Sequence, residues 1–199
     1  MPKLSEEARR ERRERIAFAA LRAFARKGIA ATSMADIIAE AGLSAGSIYS
    51  HFDSKAQLMR FAAREMMEVR GEAFLATMHE GAVPPSPQQV LRRMVHEILP
   101  GEFAQVLVGI FAEAATNPEL LEVVGGNLNG AKAMVRRFLE PWAAERAGAG
   151  RWEGVSAEEL SLRAADATLL CMHGILLRQA LQPDVDIDAL VNDLLVGWE

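Results

Sequence analysis

An all-helical fold is what this sequence predicts, on three observations. Apolar residues recur at helical spacing along nearly the whole chain. Period-two alternation is never sustained, and no Asn-Gly or Asp-Gly hairpin signal lies between alternating apolar runs. The breaks between periodic segments are glycines, prolines and capping serines, the residues that stop and start helices. About nine helices can be read, with no internal repeat and no low-complexity tract.

The first segment sets Ile16, Ala20, Ala23, Phe24 and Lys27 on one helical stripe that stops at Gly28. Upstream lie Arg9, Arg10, Arg12, Arg13 and Arg15, interleaved with acids so that Glu6 and Arg10, and Glu11 and Arg15, are four apart. Thr32 or Ser33 is placed to cap a short helix holding Met34, Ile37, Ile38 and Ala41, and Gly42 can take the left-handed conformation that ends it. Ser44 then caps a second short helix, from about Ala45 to His51, whose Ile48 and the following Phe52 are four apart and can pack on the first. Two short helices across a glycine turn are the helix-turn-helix layout. Ser54-Lys55-Ala56-Gln57 has capping-box spacing and opens a long helix with Leu58, Phe61, Ala62, Met66, Val69 and Ala73 on one face. That helix is expected to reach Gly81, where a proline-rich loop over 82–87 follows.

Beyond the loop, a helix from Gln88 to Leu99 stops at Pro100-Gly101, and another from Glu102 to Thr116 ends at Asn117-Pro118. A longer stretch to about Ala147 contains Gly125, Gly126, Gly130 and Pro141, so local irregularity is expected in it. Residues 147–155 read as a loop. Ser156 to Glu159 form a second capping box, opening a helix through Leu160, Ala164, Ala167, Leu170, Cys171, Gly174 and Leu177. The last helix is expected from Ile187 to Trp198, with Leu190, Val191, Leu194, Leu195 and Trp198 as its stripe.

Composition narrows the function. The chain has 199 residues, half of them hydrophobic, which suits one or two domains with a real core and excludes wholesale disorder. The net charge of -5 hides a division. Residues 1–70 hold 13 Lys and Arg against 9 Asp and Glu, a net of +4, which leaves 9 against 18, a net of -9, for residues 71–199. Such asymmetry points to a nucleic-acid-facing front end on an acidic body. A single cysteine, Cys171, excludes an intramolecular disulfide framework. No uncharged apolar run approaches the roughly 20 residues of a membrane span, and the N-terminus lacks the pattern of a secretory signal. The expectation is a cytoplasmic protein without membrane contact.

An enzyme reading must be weighed, because Gly42-Leu43-Ser44-Ala45-Gly46 spells G-x-S-x-G. That nucleophile elbow follows a buried strand, whereas the residues before Gly42 are helix-phased. The four histidines show no metal-ligand spacing, and neither a P-loop nor a dinucleotide fingerprint in the required context is present, so no metal and no cofactor is expected. The stronger signal is DNA. A recognition helix carries its N-terminal residues to base edges while hydroxyls, helix ends and cations hold phosphates around it. Ser44, Ala45, Gly46 and Ser47 open such a helix with small groups, and Tyr49, His51 and Lys55 supply donors nearby. The bland alternative makes Tyr49 a core aromatic and His51 a solvated surface residue.

These residues carry a family resemblance. Residues 11–62, through Ala19-Ala20, Phe24, Gly28, Thr32, Ile37, Ala41-Gly42, Ser44, Gly46, Tyr49, His51-Phe52, Lys55 and Leu58, resemble the DNA-binding domain of TetR-type one-component transcriptional regulators. The resemblance implies that Ser44 to Ser47 and Tyr49 face DNA, that Tyr49, His51 and Lys55 hold phosphates, and that Thr32 or Ser33 touches the DNA backbone. Two positions depart from the family pattern. Ala56 stands where Glu is common, and Ala45 where a longer polar residue is common, which removes a possible base contact. The arginine cluster ahead of the motif is either a solvated face laced with ion pairs or a basic arm that reaches DNA.

The domains are expected as 1–54, helix-turn-helix with its arm, and 55–199, a helical effector-binding and dimerisation domain. In the body, Met66, Met94, Phe103, Phe111, Met134, Trp142 and Met172 form an adaptable apolar inventory for a hydrophobic or amphipathic small-molecule effector, with His96 and Glu113 as polar candidates, although ordinary core packing accounts for most of them equally. Ala164, Ala167 and Thr168, with Leu190, Leu194 and Trp198, are the candidates for a homodimer interface, which the resemblance implies. The reading is a ligand-responsive repressor on a near-palindromic duplex operator. Two alternatives are a helical enzyme using the body pocket and a helical interaction module that has lost DNA binding.

Overall fold

A computed structural model describes residues 6–78, 84–98 and 102–198. Among the described residues the regular elements are all helical: α1 (Glu6–Lys27), α2 (Met34–Ala41), α3 (Ala45–Tyr49), α4 (Lys55–Met78), α5 (Pro87–Ile98), α6 (Glu102–Ala114), α7 (Pro118–Arg146), α8 (Ala157–Leu181) and α9 (Ile187–Asp193), with one 3₁₀ turn at Gly150–Trp152. The predicted stops at Gly81 and Pro100-Gly101 lie outside the described residues. The chain forms two compact units, one of Met1–Val69 with Gln105–Val124 and one of Arg70–Ala104 with Gly125–Glu199. Helices α4, α6 and α7 therefore each lend residues to both. The boundary read from the sequence at 54/55 separates motifs, whereas this division separates packing.

The first unit is built on the α1 stripe. Ile16, Ala20 and Phe24 are buried together with Ile37 of α2, Ile48 of α3, Phe52, and Leu58 and Ala62 of α4. Burying each large apolar side chain contributes about 1.5–3 kcal/mol, which is what holds helices too short to persist alone. The loop between α1 and α2 is tied down from several sides. Thr32, buried, donates from its hydroxyl to the carbonyls of Gly28 (2.7 Å) and Ala23 (3.3 Å), closing the end of α1. The Lys55 ammonium donates to the Ile29 carbonyl. From α6, Gly109 comes so near that a β-carbon there would lie 3.1 Å from Cδ1 of Ile29.

The second unit has α8 at its centre, with Leu160, Ala164, Ala165, Thr168, Met172, Ile175 and Leu176 buried. Phe74 of α4 meets Phe138 of α7 edge to face at 5.7 Å. Among the described residues α8 is the one helix that length and composition would allow to cross a membrane, yet half of its apolar window is buried in the protein. It reads as a core helix.

The glycine- and proline-containing stretch forms one helix, α7, with Pro141, which has no N–H to donate, on its exposed side. One expectation is corrected. The last helix does not reach Trp198 but ends at Asp193, with Leu194 extended (ψ 149°) and Leu195 left-handed (φ 58°). The cause is a side chain from far up the chain. The Gln88 amide donates to the carbonyls of Val191, Asn192 and Leu194 at 3.1–3.2 Å, closing the end of α9. Arg92 and His96, four and eight residues further along α5, bind Asn192 (2.6 Å) and Asp188 (3.1 Å). Released from the helix, Trp198 stacks on Trp142 (6.1 Å, 17°) and meets Trp152 edge on (4.8 Å), while Arg151 lies over Trp152 and donates to the Gly197 carbonyl.

Replacing Gln88 with Ala is expected to lower the stability of the second unit by about 1–2 kcal/mol through lost capping bonds, read as a shift in the urea midpoint. Amide exchange should quicken at the end of α9 and not in α2 or α3.

Candidate nucleic-acid interface

Each cap of the helix-turn-helix follows from a local residue choice. Ser33, not Thr32, is the N-cap of α2, in a reciprocal box where Asp36 N–H donates to Ser33 Oγ (3.2 Å) and Ser33 N–H to Asp36 Oδ2 (2.9 Å). Gly42 ends α2 in the left-handed region (φ 62°, ψ 31°), a conformation that a side chain would strain. Ser44 Oγ accepts from the Ser47 N–H at 3.2 Å and so starts α3. The serine of the apparent nucleophile elbow is therefore a helix cap in a helix-turn-helix, with no strand before it. Ser54 Oγ accepts from the Gln57 N–H (3.2 Å), and the Gln57 side chain reaches one residue further than a capping box would, to the Asp53 N–H.

The short α3 divides cleanly by burial. Ile48 is buried, whereas Ser44, Ala45, Gly46 and Ser50 are exposed, Ser47 is half-buried, and Tyr49 is 49% exposed. Tyr49 is thus a surface aromatic, not a core one. His51 is half-buried. Burial first, and then Arg9, Arg13 and Arg12, push its pKa below the ordinary imidazole value. Thr32 is buried and committed to the α1 carbonyls, and Lys55 to those of Ile29 and Ala30, so both have structural partners in the free protein. Lys55 keeps donor capacity for a further acceptor.

Among the described residues, five cations of the first unit are held in ion pairs. Arg22 (2.9 Å) and Arg26 (2.5 Å) of α1 grip Glu40 of α2, Lys27 binds Asp36, and Arg60 binds Glu119. Hydrogen bonds from Lys27 and from Ser33 hold the Asp36 carboxyl far below its usual range, and those from Arg22 and Arg26 lower Glu40. Arg10 pairs forward with Glu14 at 2.7 Å, not back with Glu6. Arg13 stacks over Phe61 (4.4 Å) and Phe52 (5.0 Å). The cations left outward around α3 are chiefly those of the first turns of α1.

The body candidates fall in both units. Met66, Phe111 and Glu113 belong to the first; Met94, His96, Met134, Trp142 and Met172 to the second; the Phe103 side chain lies outside the described residues. Met66, Met94, Trp142 and Met172 are buried, Phe111, Glu113 and Met134 half-buried, and His96 exposed on Asp188. Ala164 and Thr168 are buried inside the second unit, with the Thr168 hydroxyl on the Ala164 carbonyl (2.8 Å), while Ala167, Leu190, Leu194 and Trp198 are half-buried. Sequence reading missed two features. The outward face of α8 carries Leu170 (71% exposed), Leu177 (49%) and Leu181 (72%), at spacings of seven and four. Gln179, buried, holds its Oε1 away from solvent without a hydrogen-bond partner, as Trp142 does its Nε1. The leucine spacing was available in the sequence; the burial of Gln179 was not.

Comparison with known proteins places this architecture. Residues 16–60 match the family model of bacterial regulatory proteins, tetR family. The chain is 36% identical over 85 residues to the HTH-type transcriptional regulator TtgR of Pseudomonas putida, covering 43% of this chain and 40% of that protein. It is 30% identical over 99 residues to the HTH-type transcriptional regulator AcrR of Shigella flexneri, covering 50% and 45%. The matched stretch is under half the length of either relative. The structure of a TetR-family transcriptional regulator from Cytophaga hutchinsonii has the same fold, with a TM-score of 0.73 at 18% identity, covering 100% of this chain and 98% of that one. The helix-turn-helix within residues 16–60 is thus similar to the DNA-binding domain of the tetR family of bacterial regulatory proteins.

Because Asp36 and Glu40 have depressed pKa values in the folded protein, their stabilisation is present above the ordinary carboxylate range and lost as the pH falls below about 4. Asp36→Asn should therefore shallow the fall of Tm between about pH 4 and pH 2, measured by circular dichroism melting. An acid limb as steep as in the wild type counts against the Lys27–Asp36–Ser33 cluster.

Proposed function

We propose that the protein is a cytoplasmic, homodimeric transcriptional regulator, most simply a repressor, that leaves a near-palindromic duplex operator when a small effector binds. The observation that carries this is the division of α3: one buried isoleucine anchors it, and the small residues Ser44, Ala45 and Gly46 with Tyr49 stand outward on a turn fixed by Gly42 and Ser44. Small side chains let backbone and base edges approach, and hydroxyls and the helix start hold phosphates. In this reading Ser44, Ala45, Gly46, Ser47 and Tyr49 meet DNA, Tyr49 and His51 hold phosphates, Lys55 adds its remaining donors, and Ser33 serves the phosphate chain where Thr32 serves the fold.

The dimer uses the outward face of α8. Leu170, Leu177 and Leu181, with exposed Gly174 between them, form an apolar stripe that a second copy can cover around a two-fold axis. The effector belongs among Met94, Met134, Trp142 and Met172 of the second unit, where the unpaired Trp142 Nε1 and Gln179 Oε1 are buried polar groups that a hydrophobic or amphipathic ligand could satisfy. Helix α4, which lends residues to both units, carries the response. Effector and operator then favour different states, with a coupling of about 1–3 kcal/mol in both directions.

DNA from beside the protein's own gene, titrated by fluorescence anisotropy, tests this reading. Tyr49→Ala is expected to weaken binding about tenfold, as loss of one good contact does. Failure of the wild type to bind any duplex at low salt would overturn it. Leu170→Glu with Leu181→Glu should give a monomer in sedimentation velocity, and DNA affinity should fall with it. Gln179→Met removes an unsatisfied buried acceptor and is expected to stabilise the effector-free protein by up to about 1 kcal/mol, while weakening the response to effector.

A further inference from the structure

The first turns of α1 and the end of the helix-turn-helix share a positively charged junction. Arg9, Arg12 and Arg13 lie three and four residues apart on α1, which gathers them on one side of the helix. Arg13 is fixed there by its stack over Phe61 (4.4 Å) and Phe52 (5.0 Å), and Phe52 directly follows His51. The Nε of Arg13 and the Nδ1 of His51 are both shut off from solvent with no hydrogen-bond partner. Unpartnered buried polar atoms are uncommon and costly, so this junction is incompletely satisfied within the free protein.

Charge points to the kind of ligand that suits the outer side of this junction. Unlike Arg10, Arg22, Arg26 and Lys27, neither Arg9 nor Arg12 makes an ion pair among the described residues. Arg9 is exposed and Arg12 half-exposed. The charged groups acting on the His51 ring are these three arginines of α1; no acidic side chain is among them, and the chain neighbours Asp53 and Lys55 are not either. Lys55 turns its ammonium to the Ile29 and Ala30 carbonyls. Three guanidinium groups around a half-buried imidazole repel a fourth positive charge and are complementary to an anion.

We propose that Arg9, Arg12 and His51 form a clamp for one backbone phosphate of duplex DNA, and that closing it is accompanied by uptake of one proton by the His51 imidazole, so that DNA affinity rises as the pH falls. The proposal rests on the DNA-binding reading above. With Nδ1 enclosed, Nε2 is the nitrogen through which the ring meets the phosphate. In the free protein, burial and the three arginines lower the pKa of the ring and so favour its neutral form. An arriving phosphate offsets the local positive charge, and neutral imidazole plus a proton from solvent gives imidazolium. The complex then binds more protons than its separated parts between the free and bound pKa values. Linkage makes affinity rise as the pH falls through that window, by at most about tenfold per pH unit for one proton.

The test is anisotropy with a duplex of about 30 base pairs of arbitrary sequence at low salt, since phosphate contacts appear without sequence specificity. From about pH 8 to about pH 5.5 the wild type should bind about threefold to tenfold more tightly. His51→Gln should bind more weakly, with an affinity that no longer rises. Arg9→Gln and Arg12→Gln should each weaken binding, and the two together should lower the salt slope by about one, the share of one phosphate. In the wild type itself, an NMR titration should find the His51 pKa higher with DNA than without. A rise with acid that survives His51→Gln, a salt slope unmoved by the two arginine substitutions together, or a His51 pKa indifferent to DNA overturns the clamp alone. A wild type that binds no duplex overturns the DNA-binding reading and the clamp with it.

Discussion

The burial of Ile48 is the constraint on which the DNA-facing part depends. Helix α3 has five residues, Ala45 to Tyr49, far below the length at which a helix persists by itself. It exists because Ile48 and Phe52 drop into the core made by α1, α2 and α4, and because Ser44 and Gly42 fix where it begins. The consequence for function is geometric. One buried face leaves the opposite face no freedom of direction, so Gly46 and Tyr49 are presented by the packing of Ile48 and Phe52 and by the Ser44 cap.

The charges of the first unit complete this arrangement. Lys27, Arg22 and Arg26 are exposed cations, but their partners Asp36 and Glu40 sit on α2, so their work is to fasten α1 to α2. Each such pair is worth little by itself; several across one helix junction keep α2 in register. What remains uncompensated is concentrated at the start of α1, beside the end of α3. Five cations of residues 1–70, Arg10, Arg22, Arg26, Lys27 and Arg60, are matched internally, while Arg9, Arg12 and Arg13 act on the end of the reading helix through His51.

Much of this was legible in the sequence, for a physical reason. Caps and turns are decided by residues a few positions apart, so Ser33, Gly42, Ser44 and Ser156 announce their roles in linear text. The choice between Thr32 and Ser33 was not, because the Thr32 hydroxyl is spent on carbonyls of the preceding helix. The end of α9 was hidden for the same kind of reason: its stripe continues to Trp198, and the stop is imposed by Gln88, about a hundred residues upstream. On α8, small residues such as Ala164 and Thr168 suggest close approach without saying to what. They pack inward, and the exposed leucines mark the free face. The effector inventory was least legible, since methionine and tryptophan fit a core as readily as a pocket.

The aromatic residues are apportioned in a way that serves observation. All three tryptophans, Trp142, Trp152 and Trp198, gather in one cluster of the second unit, while the single tyrosine, Tyr49, stands on the recognition helix. Intrinsic tryptophan emission is therefore a native probe of the C-terminal unit alone, blind to the helix-turn-helix. Tyr49 offers a separate optical signal from the opposite function. The wild-type chain, with no label attached, reports on its two halves at two wavelengths.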